Sequence, residues 1–288
     1  MTSEVMTLVI AHRYDGAMQI IRPESSFGPL LRSHRVRCAM SQEKLADAAE
    51  VSTRHLSCLE TGRASPSREM VLVLSSALEL PLRDRNAMLA AAGFTAVYRE
   101  SRLDDAGMRE LNGAIDLLLA KLEPYPAIVV DRSWNLVRAN AAATRFLPLL
   151  MPPDAPPSLL GNVVRAIVDP RGARPYLVNW EEVVRSIALR TRLELAHDPE
   201  GSPRRALFDE MLSYPDVRET LRRTPVVAAP PLPFLPVHVR RDGIEARFFT
   251  MLTTLGTPLD VTAEELSVEA YFPADDATRA LLESMSAS

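Results

Sequence analysis

The 288-residue chain is poor in the features that mark secreted, membrane-spanning or nucleotide-binding proteins. Its two cysteines, Cys38 and Cys58, are too few for a disulfide framework, which favours a reducing cytoplasm. No apolar run approaches the roughly 18 residues that a membrane helix needs. The first residues also lack the basic region and cleavage site of a signal peptide. We therefore expect a cytoplasmic protein with no membrane contact.

Signatures of catalysis and of metal binding are missing as well. The five histidines show no ligand spacing, and there is no GxSxG, no HExxH and no glycine-rich phosphate loop among only 11 glycines. We expect no metal, no cofactor and no enzymatic activity, with an enzyme joined to a DNA-binding domain as the alternative. Cys38 falls on an apolar helix face, where a cysteine behaves as a small hydrophobe, although redox sensing by Cys38 and Cys58 is the alternative.

The charge pattern limits how the chain could meet nucleic acid. The formal net charge is −4, and residues 27–80 contain seven Lys or Arg against six Asp or Glu. Any DNA contact must then come from a local patch rather than from the field of the whole molecule.

The chain divides by pattern into two main parts, and we expect an α+β protein. Five short helical patterns fill residues 27–99, whereas two β-prone runs, several helices and three alternating strands fill residues 124–276. Asp242-Gly243 is a two-residue hairpin signal. The predicted segments are a leader (1–26), a five-helix domain (27–99), a linker helix (100–123), a five-stranded antiparallel sheet with helices (124–276) and a tail (277–288).

The stretch SQEKLADAAEVSTRHLSCLETG contains two short amphipathic helices around a tight turn. Ser41 and Ser52 are suited to cap the two helices, and Leu56 and Leu59 point to the core. Neither helix is long enough to be stable alone. The second helix leaves a narrow polar face outward, of a width that fits the major groove of DNA. The alternative is an ordinary pair of bundle helices.

This stretch resembles the helix-turn-helix of XRE-type regulators, which are similar to the lambdoid phage repressors. The motifs that carry the resemblance are SQEKLA, VSTRHLSCLETG and the PS before the next helix. The resemblance implies a lambda-repressor-like fold and an internal ion pair between Arg35 and Glu60. It also implies DNA contacts from Gln42, Thr53, Arg54, Ser57, Cys58 and Arg63. One departure is Glu50, which stands at the corner where this family has glycine; at positive φ it carries strain of about 1 kcal/mol.

A longer match, RHLSCLETGRASPSREMVLVLSSALELPLRDRNAMLAAAGF, resembles the MmyB-like group of these regulators. The segment YPAIVVDRSWNLVRANAAATRFL and the final three strands look like the PAS-like ligand-binding domain of that group. The resemblance spans residues 27–272. It implies a homodimer on a double-stranded DNA operator and a small apolar, fatty-acid-like ligand.

The candidate ligand pocket lies on one face of the predicted sheet. We expect its wall to include Ile128, Val130, Phe248, Leu252, Val268 and Ala270, with Arg138, Arg190, His238 and Arg247 available to pair with a carboxylate. The same apolar residues could fill a ligand-free core. The opposite face, with Phe249 and Met251, is equally allowed, because a register change of one residue exchanges the two faces. The acidic run Glu264-Glu265 is expected to be a solvated helix face or a cap.

The sequence therefore predicts a sequence-specific transcription regulator whose second domain dimerises and senses a small apolar molecule. The alternative is a helix-turn-helix regulator whose second domain is a ligand-free dimerisation or partner-protein module.

Overall fold

The computed structural model describes residues 27–195, 198, 201–223, 234 and 236–286. The predicted leader, 1–26, lies outside the described residues. The first part of the chain contains α1 (Phe27–Arg37), α2 (Gln42–Ala48), α3 (Thr53–Glu60), α4 (Arg68–Ala77) and α5 (Leu82–Ala91). In the described part of the chain, no helix is long and apolar enough to cross a bilayer.

Local sequence signals explain where these helices begin. Ser41, Ser52 and Ser67 are N-caps of α2, α3 and α4; each side-chain oxygen accepts a hydrogen bond from the backbone N–H three residues later, at 3.1–3.2 Å. Apolar residues of all five helices form a single buried core. Its members include Leu31, Leu45, Leu56, Leu59, Val71, Leu74, Met88 and Leu89. The predicted five-helix domain is confirmed.

The second part is a five-stranded antiparallel sheet with helices, as predicted. Its strands are β1 (Ala127–Val130), β2 (Leu136–Ala139), β3 (Val237–Arg241), β4 (Ile244–Thr254) and β5 (Ser267–Pro273). Their order in the sheet is β2-β1-β5-β4-β3. The helices are α6 (Arg109–Lys121), α7 (Ala141–Phe146), α8 (Pro157–Leu160), α9 (Val163–Val168), α10 (Trp180–Glu194), α11 (Pro203–Ser213), α12 (Pro215–Arg222), α13 (Val261–Glu265) and α14 (Asp276–Ser286).

Both faces of the sheet are covered, by different elements. Ile128, Val130 and Tyr271 point toward the side of α7 and α9–α12, which we call the helical side. Val129, Val268 and their neighbours point the other way, toward Ile115 and Leu119 of α6. The predicted linker helix is therefore a layer of the second domain rather than a spacer, because its apolar stripe is buried against the sheet.

Two sequence-based expectations are wrong here. Val268 and Ala270 cannot share a pocket with Ile128 and Val130, because they lie on the α6 side of the sheet. The predicted tail from residue 277 is instead helix α14, and its Leu282 is buried in a cluster with Phe248 on β4.

Candidate DNA interface, ligand cleft and domain junction

Helix α3 has one fully buried face, which holds its opposite face outward. Leu56 and Leu59 have no exposed surface, and on the opposite face Thr53 and Arg54 are exposed. Ser57 and Cys58, one turn further along, are half-buried. The structure thus brings the four residues implied as base contacts to one side of a single helix.

A buried ion pair fixes α3 against α1. The Arg35 guanidinium donates to both carboxylate oxygens of Glu60, with Nη2–Oε2 at 3.0 Å, and also to the Met40 carbonyl at 2.8 Å. Gln42 Nε2 donates to Glu60 Oε2 at 2.7 Å. Burial works against ionisation, but the hydrogen bonds from Arg35 and Gln42 outweigh it and lower the pKa of Glu60 below its usual value. The predicted pair is present.

The remaining implied DNA contacts lie beside α3. Gln42 is at the first turn of α2, and its side chain reaches back to Glu60, so one of its amide hydrogens already has a partner. Arg63, in the loop after α3, is exposed and donates from Nε to Thr61 Oγ1 at 3.1 Å.

Two backbone positions make this geometry possible. Glu50 has φ 55° at the α2–α3 turn, the left-handed conformation expected from its place at the glycine corner. Gly28 in α1 lies so close to the end of α3 that an added Cβ would be 2.6 Å from the Glu60 carbonyl oxygen. Any larger residue would push α1 away from the helix that carries Thr53 and Arg54. No local pattern in the sequence indicates this contact, because Gly28 and Glu60 are far apart along the chain.

The second domain contains an open cleft of about 310 Å³ near the junction with the helical domain. An apolar wall is formed by Val130, Trp134 and Leu252 of the second domain and Pro81 of the first. The remaining lining is polar or charged and consists of Asp131, Arg132, Arg190, Glu194, Asp198, Arg204, Glu264, Glu265 and Ser267.

Of the ten pocket candidates, three reach this cleft: Val130, Leu252 and Arg190. The Arg190 guanidinium stacks 4.9 Å above the centre of the Trp134 ring, and its Nε donates to Glu194 at 2.9 Å. An arginine held over an aromatic wall is a suitable partner for a carboxylate that enters the cleft.

The other candidates lie elsewhere. Ile128 and Phe248 are on the helical side but only 1% exposed, inside packed clusters. Arg138 was expected near a pocket mouth but reaches the opposite side, where its guanidinium binds Asp116 of α6 at 2.6 Å. That expectation is wrong because Arg138 pairs with Val129 in the sheet and shares its α6-side face.

His238 and Arg247 were also expected near the pocket, and the structure contradicts this. They are paired across β3 and β4, and both bind Glu245, with His238 Nε2 at 2.8 Å and Arg247 Nη2 at 3.3 Å from Oε1. None of the three lines the cleft. These polar residues belong to the solvated end of the sheet.

A buried carboxyl lies behind the cleft. Glu269 is on the helical side of β5 and accepts a hydrogen bond from Tyr271 Oη at 2.9 Å. Burial raises the pKa of Glu269, against the opposing influence of Tyr271 and the nearby Arg190 charge. Ser267, Glu269 and Tyr271 alternate along β5 with the residues that face α6, so they point toward the helical side.

A chain of ion pairs joins the cleft to the helical domain. Arg132, in the turn after β1, donates to Glu265 Oε1 at 2.7 Å and to Asp198 Oδ1 at 2.8 Å. The same Glu265 oxygen accepts from Nε of Arg83 on α5, also at 2.7 Å. Glu264 accepts from the backbone N–H of Leu82, the first residue of α5, at 2.7 Å. We call Arg83, Glu264, Glu265, Arg132 and Asp198 the junction network.

The junction network was missed by sequence reasoning, which treated Glu264-Glu265 as a solvated face or a cap. Glu264 does act as a cap, but for a helix 182 residues away in the sequence. Within the described ranges, no three His, Cys, Asp or Glu side chains come together as a possible metal site.

Comparison with known proteins agrees with this two-part organisation. Residues 111–285 match the family model of the MmyB-like transcription regulator ligand binding domain, and residues 26–88 match a helix-turn-helix domain model. The chain is also similar to the transcriptional regulator ClgR of two Mycobacterium tuberculosis strains, CDC 1551 / Oshkosh and ATCC 25618 / H37Rv. Each is 38% identical over 76 residues. That match covers 26% of this chain and 64% of the relative.

Proposed function

Because the chain belongs to the MmyB-like transcription regulators, with a DNA-binding helix-turn-helix and a ligand-binding domain, we propose that it binds an operator as a homodimer in the cytoplasm. A small molecule in the second domain changes that binding. The observation that carries this proposal is the exposed Thr53 and Arg54 edge of α3 above the fully buried Leu56 and Leu59.

In the proposed complex α3 enters the major groove. Arg54 makes a bidentate contact to a guanine, and Thr53 contacts a neighbouring base edge. Ser57 and Cys58 lie one turn further along the same face. Gln42 and Arg63, at the flanks, contact phosphates and set the position of α3 on the duplex. Two copies place their α3 helices about 34 Å apart on a near-palindromic site.

The proposed ligand is amphipathic, in the manner of a fatty acid. Its apolar part lies against Val130, Trp134 and Leu252, and its carboxylate pairs with Arg190. The cleft volume of about 310 Å³ is at the small end of the range for ligand sites. Four members of the junction network, Arg132, Asp198, Glu264 and Glu265, line the same cleft, and Glu265 also binds Arg83. This gives bound ligand a route to α5 of the DNA-binding domain.

A second function is supported by the tight packing of Ile128 and Phe248 in the domain interior. In this alternative the second domain is a ligand-free dimerisation or partner-protein module. Native mass spectrometry of protein purified from its host separates the two. A co-purifying small molecule supports a ligand-sensing second domain. Its absence, together with operator binding that does not change when decanoate is added, supports the ligand-free module. In neither case do we expect turnover of the bound molecule.

The experiment for DNA reading compares Arg54→Ala with Arg240→Ala, a change of an exposed arginine on β3. The operator is first selected from genomic fragments by the purified protein. We expect Arg54→Ala to weaken operator binding by about 1–3 kcal/mol and random DNA much less. Arg240→Ala should change neither. An equal loss on both DNAs would mean that Arg54 contacts the backbone rather than bases.

A further inference from the structure

One line of exposed residues on α6 is uncharged along its middle. The helix buries Ile115 and Leu119 against the sheet. Its exposed side includes a line of residues at helical spacing, Glu110, Gly113, Ala114, Leu117 and Lys121, which we call the α6 stripe; Arg109, Asp116 and Ala120 are exposed beside it. Leu117, near its centre, is 61% exposed. The stripe is apolar or small in the middle and carries opposite charges at its two ends.

Gly113 is unexplained by the chain's own packing. A glycine in the middle of a helix costs about 1 kcal/mol relative to alanine. A Cβ added at Gly113 would have no atom within 4 Å, so no neighbour within the described chain requires its absence. A missing side chain at this place does, however, let another helix approach the α6 backbone closely.

The helix that carries the stripe is held firmly. Arg138 on β2 donates to Asp116 at 2.6 Å and to Asn112 Oδ1 at 2.7 Å, and Asn112 Nδ2 donates to the Leu103 carbonyl at 2.6 Å. These bonds come from the flank of α6 and leave the stripe uncovered. A partner that binds the stripe therefore meets a fixed surface and loses little conformational freedom in α6.

The apolar surface continues beside the stripe. A shallow groove of about 130 Å³ runs between α6 and the end of β4, and its lining includes Ala114, Leu118 and Leu255. Met251 on β4 and Leu255 just after it are 55% and 46% exposed. Together with Leu117 they extend the surface beyond a single isolated leucine, which is the pattern of a protein–protein contact.

We propose that the α6 stripe is the surface through which two copies of this chain pair, with the two α6 helices antiparallel across a two-fold axis; this rests on the homodimer proposed above. The charges decide the occupant. Glu110 and Lys121 are eleven residues apart, about 16 Å along the helix. A two-fold axis midway between them sets each Glu110 beside the partner's Lys121. It also sets each Leu117 over the small surface of the partner's Gly113 and Ala114, as a self-complementary contact requires.

This surface has a direct consequence for DNA reading. Helix α6 follows the DNA-binding domain in the chain, and the junction network ties that domain to the sheet that α6 covers. A two-fold axis at the α6 stripe therefore fixes where the two α3 helices stand relative to each other.

The test uses charge reversal in the full chain. Glu110→Lys and Lys121→Glu each place like charges at both ends of the proposed pair, and each should raise the dimer dissociation constant roughly tenfold at low salt. The double variant restores opposite charges and should return to within about threefold of the wild type. An equimolar mixture of the two single variants, one of them affinity-tagged, should form heterodimers in preference to either homodimer.

A second comparison removes the apolar centre. Leu117→Asp should make the protein monomeric in sedimentation equilibrium, whereas the matched change Leu189→Asp, at another exposed leucine on α10, should leave the dimer intact. Circular dichroism and the melting temperature report whether either variant still folds. If Leu117→Asp does not fold, the heterodimer experiment alone tests whether the α6 stripe is the dimer contact.

The outcomes separate this surface from the dimer itself. A dimer that survives Leu117→Asp, with no preference for heterodimers in the mixture, places the contact elsewhere and overturns the α6 stripe while leaving the proposed homodimer. A wild-type protein that is monomeric both free and on its operator overturns both. A Leu117→Asp protein that no longer self-associates but still binds an operator half-site supports the α6 stripe as the dimer contact and shows that DNA reading is unaffected.

Discussion

Asp84 allows a direct test of how a buried carboxylate near the domain junction affects the free energy of unfolding. It is the third residue of α5 and only 5% exposed. Burial raises the pKa of this carboxyl from its usual 3.8 to about 6; Arg132 and Arg37 oppose the rise, and Asp198 adds to it. At neutral pH the folded protein thus holds a carboxylate in a site that disfavours its charge.

The sign of the stability effect follows from linkage. Because the pKa is higher in the folded than in the unfolded protein, the folded state binds the proton more tightly. Stability then falls as the pH rises from about 4 to about 6, and the full penalty is present above that range. A rise from 3.8 to about 6 corresponds to about 3 kcal/mol. The N-terminus of α5 favours a negative charge by up to about 1 kcal/mol, so we expect 2–3 kcal/mol.

The perturbation is Asp84→Asn, which keeps the shape and removes the charge. We expect the variant to be about 2–3 kcal/mol more stable than the wild type near pH 7.5 and nearly equal to it near pH 4. The measurement is urea unfolding followed by far-ultraviolet circular dichroism across this pH range. Asp47→Asn, on the exposed side of α2, is the control and should leave the pH profile unchanged. A variant less stable than the wild type near pH 7.5 would show that Arg132 and Arg37 more than compensate for burial, and the reasoning would be wrong.

Two further predictions concern the ion pairs. Arg35→Ala leaves Glu60 buried, with Gln42 as its remaining hydrogen-bond partner among the described residues, and should cost about 3–5 kcal/mol in the free energy of unfolding. Because the folded pKa of Glu60 is lowered, the stability that it contributes is present above its usual pKa of 4.5 and is lost as the pH falls through the folded value. An Arg35→Ala variant that loses less than about 1 kcal/mol of unfolding free energy would contradict the importance of this ion pair. Glu265→Gln removes the charge shared by Arg83 and Arg132, so calorimetry should show the melting of the two domains separating into two transitions; a single unchanged transition would mean that other contacts couple them.

Features that depend on neighbours in sequence were predictable. Ser41, Ser52 and Ser67 cap helices because a hydroxyl beside a helix start reaches the N–H three residues on. Asp242 and Gly243 form the β3–β4 hairpin, with φ of 48° and 83°, because a two-residue turn of this kind needs positive φ at both positions. Glu50 shows the reverse case, since its conformation follows from the turn and not from its own preference.

The sheet register was not predictable for a specific physical reason. β1 is buried along its whole length, so its sequence shows no alternation that could distinguish the faces. On β5 the alternation is clear, but the layer of helices covers the face with Ser267, Glu269 and Tyr271, and α6 covers the face with Val268. A pattern of apolar and polar residues cannot say which of two covered faces borders a cleft.

The junction network was out of reach for another reason. Arg132 and Glu265 are 133 residues apart, and Leu82 and Glu264 are 182 residues apart. An isolated charged residue in a polar segment gives the same sequence pattern whether its side chain is solvated or forms an ion pair with a distant residue. Only the packing of α13 beside α5 brings them together.

The bond from Leu82 to Glu264 has a practical consequence for anyone who divides this protein. Pro81 supplies no side-chain cap for α5, so the first N–H of this helix, in the helix-turn-helix domain, donates to Glu264 of the ligand-binding domain. A fragment cut after residue 99 would expose that amide and forfeit roughly the 1 kcal/mol of a lost cap, together with the tether through Arg83. DNA affinities measured on such a fragment would therefore describe a domain whose α5 is less stable than in the intact protein.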